Sequence, residues 1–301
     1  MSWWMFEGAI WFFLIVVGAA LIDITTKYGR KIFKQWLLLL VVIVLSFSWG
    51  VIFYGSFVEP RFLVVHQETI EMTKIDQPIK VALLSDFHLG PYKGNGWVEE
   101  VVAKTNKQNS DLILLLGDYI FGPLGKADDL SALADLTAPL GVYAVLGNHD
   151  YDTARQEEIK SKLEAMGIKV LFDSSDKIKL SDGKFLCLAG VNDLWNGGQV
   201  KEAVADCSDE TTILMSHNPD AVFNVQSFKV DLLVSGHTHG GQIRLPLIGP
   251  VAFIPTILSK EYSEGLFDFS GTKLFITSGL GEMGPRARLF NPPEIVILEL
   301  K

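Results

Sequence analysis

The feature that most constrains the fold lies near the N-terminus, where Trp36–Tyr54 is a tract of 19 residues without a charge. A helix needs roughly 20 apolar residues to cross a bilayer. A buried helix of a soluble protein would carry polar residues along one face, and this tract has almost none. An earlier tract, Trp3–Ile22, contains one charge, Glu7. We therefore predict two transmembrane helices, over about 3–22 and 36–54.

The segment between the two tracts predicts the orientation. Basic residues near membrane helices stay on the cytoplasmic side, so both chain ends are expected outside. The earlier tract has an alternative interpretation as a signal-peptide core, but no basic region precedes it and no clear cleavage site follows. If the earlier tract did not span the membrane, the second helix alone would allow the rest of the chain to lie on either side of the membrane. The segment 23–35 carries Lys27, Arg30, Lys31 and Lys34 against one acid, Asp23.

The rest of the chain differs in charge and defines a second region. We predict a membrane anchor over 1–58 and one globular domain over 60–301. That domain holds 22 basic and 32 acidic residues, while the whole chain has a net charge of -9. Phosphate-backbone binding needs clustered Lys and Arg, so no nucleic-acid partner is expected, and no protein partner is implied. Cys187 and Cys207 could form one bridge, although two separate thiols are expected.

Short apolar runs alternate with polar, helix-competent stretches across residues 60–301. Such runs, when turn residues bound them, are typical of strands, and strands that alternate with helices indicate an α/β fold. The later half is richer in strands, which predicts a mixed sheet. The predicted strands are 81–84, 112–116, 142–146, 168–172, 185–189, 212–215, 232–234, 274–277 and 295–300, and the predicted helices are 97–108 and 153–166.

Five of these strands end in a polar cluster with a residue that can bind a metal. In open α/β sheets the ligand site lies beyond the carboxyl ends of the strands, so five strand ends could deliver side chains to one place. Of the six histidines, only His66 lies outside the clusters. One such motif alone would be weak evidence. The clusters are Ser85-Asp86-Phe87-His88, Gly117-Asp118, Gly147-Asn148-His149-Asp150, Ser216-His217-Asn218-Pro219 and Ser235-Gly236-His237-Thr238-His239.

The residue types in the clusters fit two divalent metal ions. Carboxylates, imidazoles and an amide oxygen suit Mn²⁺, Fe or Zn²⁺. Two ions about 3.5–4 Å apart can clamp the attacking and leaving oxygens of an in-line displacement, and they lower the pKa of bound water toward roughly 7. A carboxylate shared between the ions is the natural bridge. The glycines before Asp118, Asn148 and His237 are expected to allow a sharp turn at each strand end.

In this order the clusters resemble the signature blocks of the calcineurin-like metallophosphoesterases. The resemblance extends over the whole globular domain. It implies a four-layer α/β/β/α sandwich of two mixed sheets. It also implies hydrolysis of a phosphodiester or pyrophosphate bond in a phosphate-containing substrate, with metal-bound hydroxide as the nucleophile.

The resemblance also implies a role for each site residue. Asp118 would bridge the two metals. His149 would contact the substrate phosphate and protonate the leaving group, and Asp150 would orient His149. One metal would be held by Asp86, His88, Asp118 and His239, and the second site would be completed by Asn148, His217 and His237.

Two membrane segments, the motif Gly236–Pro246 and the ending Asn291–Ile295 are similar to the bacterial, membrane-anchored YkuE/YaeI-like branch of this family. This implies a multi-pass protein of the bacterial inner (cell) membrane, and the charge rule predicts an extracytoplasmic catalytic domain. Anchoring favours a lipid-linked or envelope substrate. UDP-diacylglucosamine pyrophosphohydrolase activity in lipid A biosynthesis is the leading named candidate, although that substrate is cytoplasmic. Protein Ser/Thr phosphatases continue Gly-Asp with Asp-Arg-Gly, and Tyr119–Pro123 departs from that pattern.

Two other functions stay open. The domain could be a phosphodiesterase for soluble nucleotides whose anchor only sets its location. It could also be a non-catalytic, metal-stabilised binding module at the membrane.

Three further segments bear on the substrate. Three prolines in residues 242–258, which we call the apolar loop, argue against a regular helix or a central strand. We expect this loop to fold over the sheet, because an apolar loop alone is weak evidence for a ligand site. The alternative is an apolar lip that accepts a lipid tail or touches the bilayer. Arg288, and less clearly Arg286, is a candidate to bind the substrate phosphate, with a surface salt bridge as the alternative. Residues 192–195 are expected to form a plain turn, with part of the wall of the cleft as the alternative.

Overall fold

Two six-stranded sheets form the centre of the molecule in a computed structural model, which describes residues 3–32, 35–152 and 154–301. The helices are α1 Trp3–Ile32, α2 Trp36–Phe53, α3 Asn95–Asn106, α4 Gln156–Ala165 and α5 Val200–Ala203. The strands are β1 Val64–Ile70, β2 Ile79–Leu84, β3 Leu112–Leu115, β4 Val142–Ala144, β5 Lys169–Val170, β6 Ser174–Lys179, β7 Phe185–Gly190, β8 Thr211–Met215, β9 Leu232–Ser235, β10 Arg244–Leu245, β11 Gly249–Pro250, β12 Gly265–Phe269, β13 Thr272–Ile276 and β14 Glu294–Leu300.

Both large sheets are mixed, as predicted. The first has the order β1-β14-β2-β3-β4-β5, with β2 to β5 parallel and β14 antiparallel to β2. The second has the order β12-β13-β9-β8-β7-β6, with β13, β9, β8 and β7 parallel and an antiparallel strand at each edge. The short strands β10 and β11 form a separate hairpin inside the apolar loop.

The sheets pack face to face and are flanked by helices. Leu83 and Leu114 of the first sheet share one buried cluster with Met215 and Val234 of the second. On the outer face of the first sheet lie α3 and α4, and on the outer face of the second lies α5. Because the central strands are buried on both faces, they appear in the sequence as continuous apolar runs. The architecture is therefore the predicted four-layer α/β/β/α sandwich.

All nine predicted strands are present, but the edge strands β1, β6 and β12 escaped prediction. Strand β6 has the sequence SSDKIK, with one fully buried residue, Ile178. An edge strand with one face in water needs few apolar residues, and charged side chains there protect it from further pairing. A search for short apolar runs therefore finds the central strands and misses edge strands of this kind.

The two N-terminal helices are long and apolar enough to cross a membrane. They contact each other where Trp49 Nε1 donates a hydrogen bond to the Leu14 carbonyl, at 2.8 Å. Helix α1 continues to Ile32, ten residues beyond the predicted end, so most of the expected basic loop is helical. An ion pair of 2.7 Å between Lys27 and Asp23, one turn apart, supports this extension. Lys34 lies outside the described residues.

The end of α2 is tied to the globular part of the chain by backbone hydrogen bonds. After Phe53 the chain makes a wide π turn and a 3-10 turn before β1 begins. The backbone N–H of Arg288 donates to the Gly55 carbonyl at 2.8 Å, and that of Asn291 donates to the buried Glu59 carboxylate at 2.5 Å. These hydrogen bonds hold the C-terminal end of α2 beside residues 288–291.

Cys187 and Cys207 form a disulfide, with Cα atoms 5.6 Å apart. The expectation of two separate thiols was wrong. Cys187 lies in β7, and Cys207 follows α5. The bridge thus joins the second sheet to the helical segment that covers its outer face.

Candidate metal centre

The predicted clusters meet at one edge of the sandwich. Strands β2, β3 and β4 are parallel neighbours in the first sheet, and β8 and β9 are parallel neighbours in the second. Their carboxyl ends therefore point the same way within each sheet. Each of these ends leads into the polar segment expected from the sequence. Seven side chains converge there, and we call them the metal centre: Asp86, His88, Asp118, Asn148, His217, His237 and His239.

Five of these seven residues adopt the left-handed backbone conformation, with φ between 43° and 70°. Non-glycine residues rarely do so, and such strain costs on the order of 1–3 kcal/mol at each position. Strain of this kind persists only where the surrounding fold enforces it, and it clusters at functional sites. The five are Asp86, His88, Asp118, His237 and His239.

The glycines before the ligands have two different functions. Gly117 has a φ of +94°, so it permits the sharp turn that was expected. Gly147 and Gly236 instead permit close approach. A Cβ at Gly147 would collide with Asp118 Oδ1, and one at Gly236 would collide with Asp86 Oδ2 and Ser85 Oγ. Side chains at these two positions would push the carboxylates out of the centre.

The first group of potential ligands consists of Asp86, His88 and His239. The Nε2 atoms of His88 and His239 lie 3.1 Å apart, and His239 Nε2 lies 3.4 Å from Asp86 Oδ1. Donors about 2.0–2.2 Å from one ion are separated by about 3.0–3.5 Å, so these distances fit a shared metal. Asp86 also accepts a hydrogen bond from the backbone N–H of His237, which fixes its orientation.

The second group consists of Asp118, His217 and His237. His217 Nδ1 donates to the Leu116 carbonyl at 2.7 Å, which leaves Nε2 to face Asp118 Oδ2 at 3.1 Å. His237 Nε2 donates to the Pro255 carbonyl at 2.9 Å, which leaves its Nδ1 3.1 Å from His217 Nε2. Backbone carbonyls therefore select the tautomer of each imidazole that can bind a metal.

Asp118 lies between the two groups. Its Oδ2 atom is 3.4 Å from His88 Nε2 in the first group and 3.1 Å from His217 Nε2 in the second. The other oxygen, Oδ1, accepts a hydrogen bond from the backbone N–H of His149 at 2.9 Å. This carboxylate is the one in a position to be shared by two ions.

Asn148 supplies a test of whether a cation fits. Its side-chain oxygen is buried and has no hydrogen-bond partner among the described residues. A buried amide oxygen without a partner is costly, and a divalent cation would satisfy it. Asn148 follows β4, at the same edge as Asp118. Donor types, distances and this unsatisfied oxygen all fit two metal-binding sites.

The electrostatics of the cluster also favour cations. Burial lowers the pKa of His88 and of His237 to about 3, so both rings are neutral, as metal ligands must be. Burial raises the pKa of Asp86 to about 6. For His217, burial opposes the charge, but Asp118 and Asp86 outweigh it and raise the pKa to about 10. A proton there partly balances the buried carboxylates, and a bound cation would replace it.

His149 lies beside the centre, and its ring is not among the two ligand groups. It is partly exposed, and its Nδ1 contacts the carboxylate of Asp152. Burial lowers the pKa of His149, but Asp118 and Asp152 outweigh it and raise the pKa. Asp152 is a residue that sequence reasoning missed, because nothing in its spacing distinguishes it from Asp150.

The prediction that Asp150 orients His149 was wrong. Asp150 is fully buried, and its carboxylate accepts hydrogen bonds from the backbone N–H groups of Asp118, Tyr119 and Gly147, at 2.8–2.9 Å. The 3-10 turn at residues 148–150 points Asp150 inward, toward the strand ends, and His149 outward. Asp150 therefore holds the loop that carries Asp118.

Arg288 does not reach the centre as a phosphate-binding residue. Its side chain is fully buried and donates to the carbonyls of Gly281, Asn291, Ser278 and Gly279. Arg286 instead lies 3.3 Å from Glu7 of α1. Both arginines lie at the junction between the two N-terminal helices and the globular domain, because the preceding loop turns their side chains away from the strand ends.

An open cavity of about 470 Å³ lies above the metal centre, and we call it the catalytic cavity. Asp118, Asn148 and His149 form part of its floor. Its walls are mostly apolar. Trp195, from the expected turn at 192–195, lines it and packs edge-on against His237 with ring centroids 4.8 Å apart. The cleft wall was the alternative to a plain turn for residues 192–195, and Trp195 takes that position.

The apolar loop covers the sheet only in part, which is less than expected. Leu258 packs into the buried cluster on the outer face of the second sheet, and Ile254 is also buried. Phe253 is 84% exposed and Ile257 is 77% exposed, so much of the loop does not cover the sheet. Phe253 and Ile243 also line the catalytic cavity.

Comparisons with known proteins agree with this geometry. The family model described as calcineurin-like phosphoesterase matches residues 79–241. The chain is 32% identical over 256 residues to the metallophosphoesterase YkuE of Bacillus subtilis (strain 168), covering 82% of this chain and 89% of that protein. It is also 32% identical over 254 residues to the phosphodiesterase YaeI of Escherichia coli (strain K12), covering 82% and 92%.

A transmembrane protein with metallophosphoesterase domain from Danio rerio is 29% identical over 284 residues, which cover 89% of this chain and 63% of that protein. The family match includes every residue of the metal centre. The chain therefore belongs to the calcineurin-like phosphoesterase family and is a metal-dependent phosphoester hydrolase.

Proposed function

We propose that the chain is a membrane-anchored phosphoesterase with a catalytic domain over 60–301 and an anchor over 1–58. It hydrolyses a phosphodiester or pyrophosphate bond of a lipid-linked or envelope substrate. The observation that carries this proposal is the carboxylate of Asp118, which lies between two ligand groups on the floor of an apolar-walled cavity.

The proposal assigns the seven residues of the metal centre to two divalent ions. Asp86, His88, Asp118 and His239 hold one ion, and Asn148, His217, His237 and the shared Asp118 hold the other. Oxygen and imidazole donors favour Mn, Fe or Zn. When bound, such ions activate water and neutralise charge on the phosphoryl oxygens.

His149 and Asp152 supply the proton chemistry. The water oxygen forms a bond to phosphorus as the bond to the leaving oxygen breaks, and His149 delivers a proton to that oxygen. Burial lowers the pKa of His149, but Asp118 and Asp152 outweigh it and raise that pKa, which favours the protonated ring that a proton donor needs. Asp152 holds Nδ1 and thereby directs Nε2 toward the cavity. The proton lost by water passes to solvent through the open cavity.

Three observations support a lipid-linked substrate outside the cytoplasm. Trp195 and Phe253 give the cavity apolar walls next to the phosphate position. The basic residues between the apolar tracts favour a cytoplasmic turn, with the catalytic domain outside the bacterial cell membrane. The disulfide between Cys187 and Cys207 is typical of an oxidising, extracytoplasmic compartment.

A substrate panel tests the proposal. Full-length protein of known metal content is assayed in micelles on bis-p-nitrophenyl phosphate, phospholipids, UDP-diacylglucosamine and soluble nucleotides. We expect turnover of the generic diester, a preference for a lipid-linked substrate, and loss of about 10²–10⁴-fold in His149→Ala with metal content retained. A preference for soluble nucleotides would replace the lipid-linked assignment. Unchanged turnover in His149→Ala would contradict its role as the proton donor, and no turnover of any substrate would leave a metal-stabilised binding module.

A further inference from the structure

A second apolar cavity lies between the two N-terminal helices and the catalytic domain, and we call it the helix groove. Its volume is about 440 Å³, within the range of about 300–1,000 Å³ that ligand pockets occupy. Helix α1 contributes Ala9, Ile10 and Phe13, and helix α2 contributes Val51 and Ile52. The groove is therefore walled on one side by the helices that cross the bilayer.

The helix groove adjoins the catalytic cavity. Ile243 and Pro285 line both of them, so the two cavities meet at this pair of side chains. Asp118, Asn148 and His149 form part of the floor of the catalytic cavity. A long molecule with its phosphorus at the metal centre can thus extend past Ile243 and Pro285 onto α1 and α2.

The groove suits hydrocarbon rather than a polar group. Arg288 lies at its wall, but the guanidinium is fully buried and donates to backbone carbonyls such as Ser278 O and Gly281 O. It is therefore not free to bind an anionic head group. Apart from Ser56 and this arginine, the side chains that line the groove are aliphatic or aromatic. A hydrocarbon chain would lose no hydrogen bonds there, whereas a sugar or base would.

The position of the groove also indicates where its occupant comes from. Exposed apolar side chains surround it on both helices, among them Phe12 and Phe53. A hydrocarbon chain in the bilayer could move from lipid into the groove without crossing water. Since moving the hydrocarbon chain through water would expose its CH₂ groups to water at a cost in free energy, this route favours a substrate that stays in the membrane.

We propose that the helix groove binds a hydrocarbon chain of the substrate while the phosphate of the same molecule lies at the metal centre. This rests on the proposed function, which it narrows to esters that carry a long alkyl or acyl chain. The apolar loop then forms the outer rim of the cavity, and the chain runs inward, along α1 and α2.

Two synthetic diesters with the same leaving group test this, p-nitrophenyl hexadecyl phosphate and p-nitrophenyl ethyl phosphate. Ala9→Trp fills the groove from α1, and Ala19→Trp makes the same change at an exposed position ten residues further along that helix. We expect Ala9→Trp to lower the ratio of kcat/KM for the long ester to that for the short ester by about tenfold. Ala19→Trp should keep the wild-type ratio. Equal ratios in all three proteins would overturn the groove assignment.

A labelling experiment keeps the proposal testable if Ala9→Trp does not fold. The hexadecyl ester carries a photoreactive diazirine at its terminal carbon and is irradiated with wild-type protein in micelles. We expect the label on α1 and α2 around Phe13 and Val51. Label confined to Phe253 and Trp195 would show that the chain leaves by the outer rim. Failure of the proposed function would appear separately, as no hydrolysis of either ester whatever the label site.

Discussion

The metal centre and the helix groove meet at Ile243 and Pro285, yet they are built in different ways. The centre consists of polar residues at the ends of five strands, several of them in a strained left-handed conformation. The groove consists of ordinary apolar residues from two helices and two distant loops. Metal binding requires particular donor atoms at fixed separations, whereas hydrocarbon binding requires only apolar surface and space.

This difference predicts different sensitivities to substitution. One residue of the centre holds several others, as Asp118 does through His88, His217 and the His149 backbone. A groove residue such as Ala9 contributes only its own surface. Changes in the centre should therefore be large and should affect all substrates, and changes in the groove should be small and depend on chain length.

The largest effect should follow Asp118→Ala. The shared carboxylate belongs to both ligand groups, so its loss should remove both ions and lower turnover of bis-p-nitrophenyl phosphate by about 10⁴-fold. Metal analysis after gel filtration measures the stoichiometry. His66→Ala, which changes a histidine on β1 outside the clusters, is the control for general loss of structure. Full metal content in Asp118→Ala would contradict the bridging role.

The disulfide should support the scaffold rather than the chemistry. It closes a loop with a sequence separation of 20 residues, so the double variant Cys187→Ser, Cys207→Ser should lose about 3 kcal/mol of unfolding free energy. Urea unfolding of the globular domain, monitored by tryptophan fluorescence, measures this loss of unfolding free energy. Metal content in the absence of urea should not change. A variant as stable as the wild type would argue that the two thiols are separate in the native protein.

A smaller effect is expected at the edge of the centre, in Asp152→Asn. Asp152 raises the pKa of His149, so its removal should lower that pKa and move the alkaline limb of the kcat profile to lower pH. The loss of kcat at neutral pH should be about tenfold, as is usual for a partner of a catalytic histidine. The measurement is a pH–rate profile with the generic diester. A profile that coincides with the wild type would remove Asp152 from the proton chemistry.

The smallest effect is expected at the outer rim, in Phe253→Ser. This side chain lines the catalytic cavity but is 84% exposed, so it contributes less than a buried side chain would. We expect KM for the hexadecyl ester to rise by about threefold, with kcat unchanged. Phe185→Ser, at the opposite end of β7 from the centre, is the matched control. An effect as large as that of Asp118→Ala would erase the distinction between centre and rim.

The residues of the metal centre could be predicted from the sequence because each follows a recognisable apolar strand. The strands β2, β3, β4, β8 and β9 are buried on both faces, so their ends are marked by an abrupt change from apolar to polar residues. Parallel neighbours then bring these ends together. The order of the strands in the two sheets was not needed for that inference.

Orientation of side chains within a short turn could not be predicted. Asp150 and Asp152 are both acidic and both close to His149, and only the 3-10 turn decides which of them faces the ring. Arg288 posed the same problem, since a buried arginine on backbone carbonyls has the same sequence signature as one that binds phosphate. Such choices depend on φ and ψ at single residues.

Long-range contacts between apolar segments were also beyond prediction. Hydropathy identified α1 and α2, but the cavity that they line together with Pro285 and Leu289 depends on how the end of α2 is tied to the globular domain. The exposed position of the apolar loop depends likewise on its hairpin. Apolar residues can pack in many alternative ways, so the sequence alone does not determine which apolar segments come into contact.

Two ions are expected to share Asp118 at the meeting point of the two sheets. Anomalous diffraction from crystals of manganese-loaded, full-length protein tests this directly. Two peaks should appear, one bounded by Asp86, His88 and His239 and one by Asn148, His217 and His237, with the Asp118 carboxylate between them. A single peak, or a second peak that lies away from Asp118, would contradict the account.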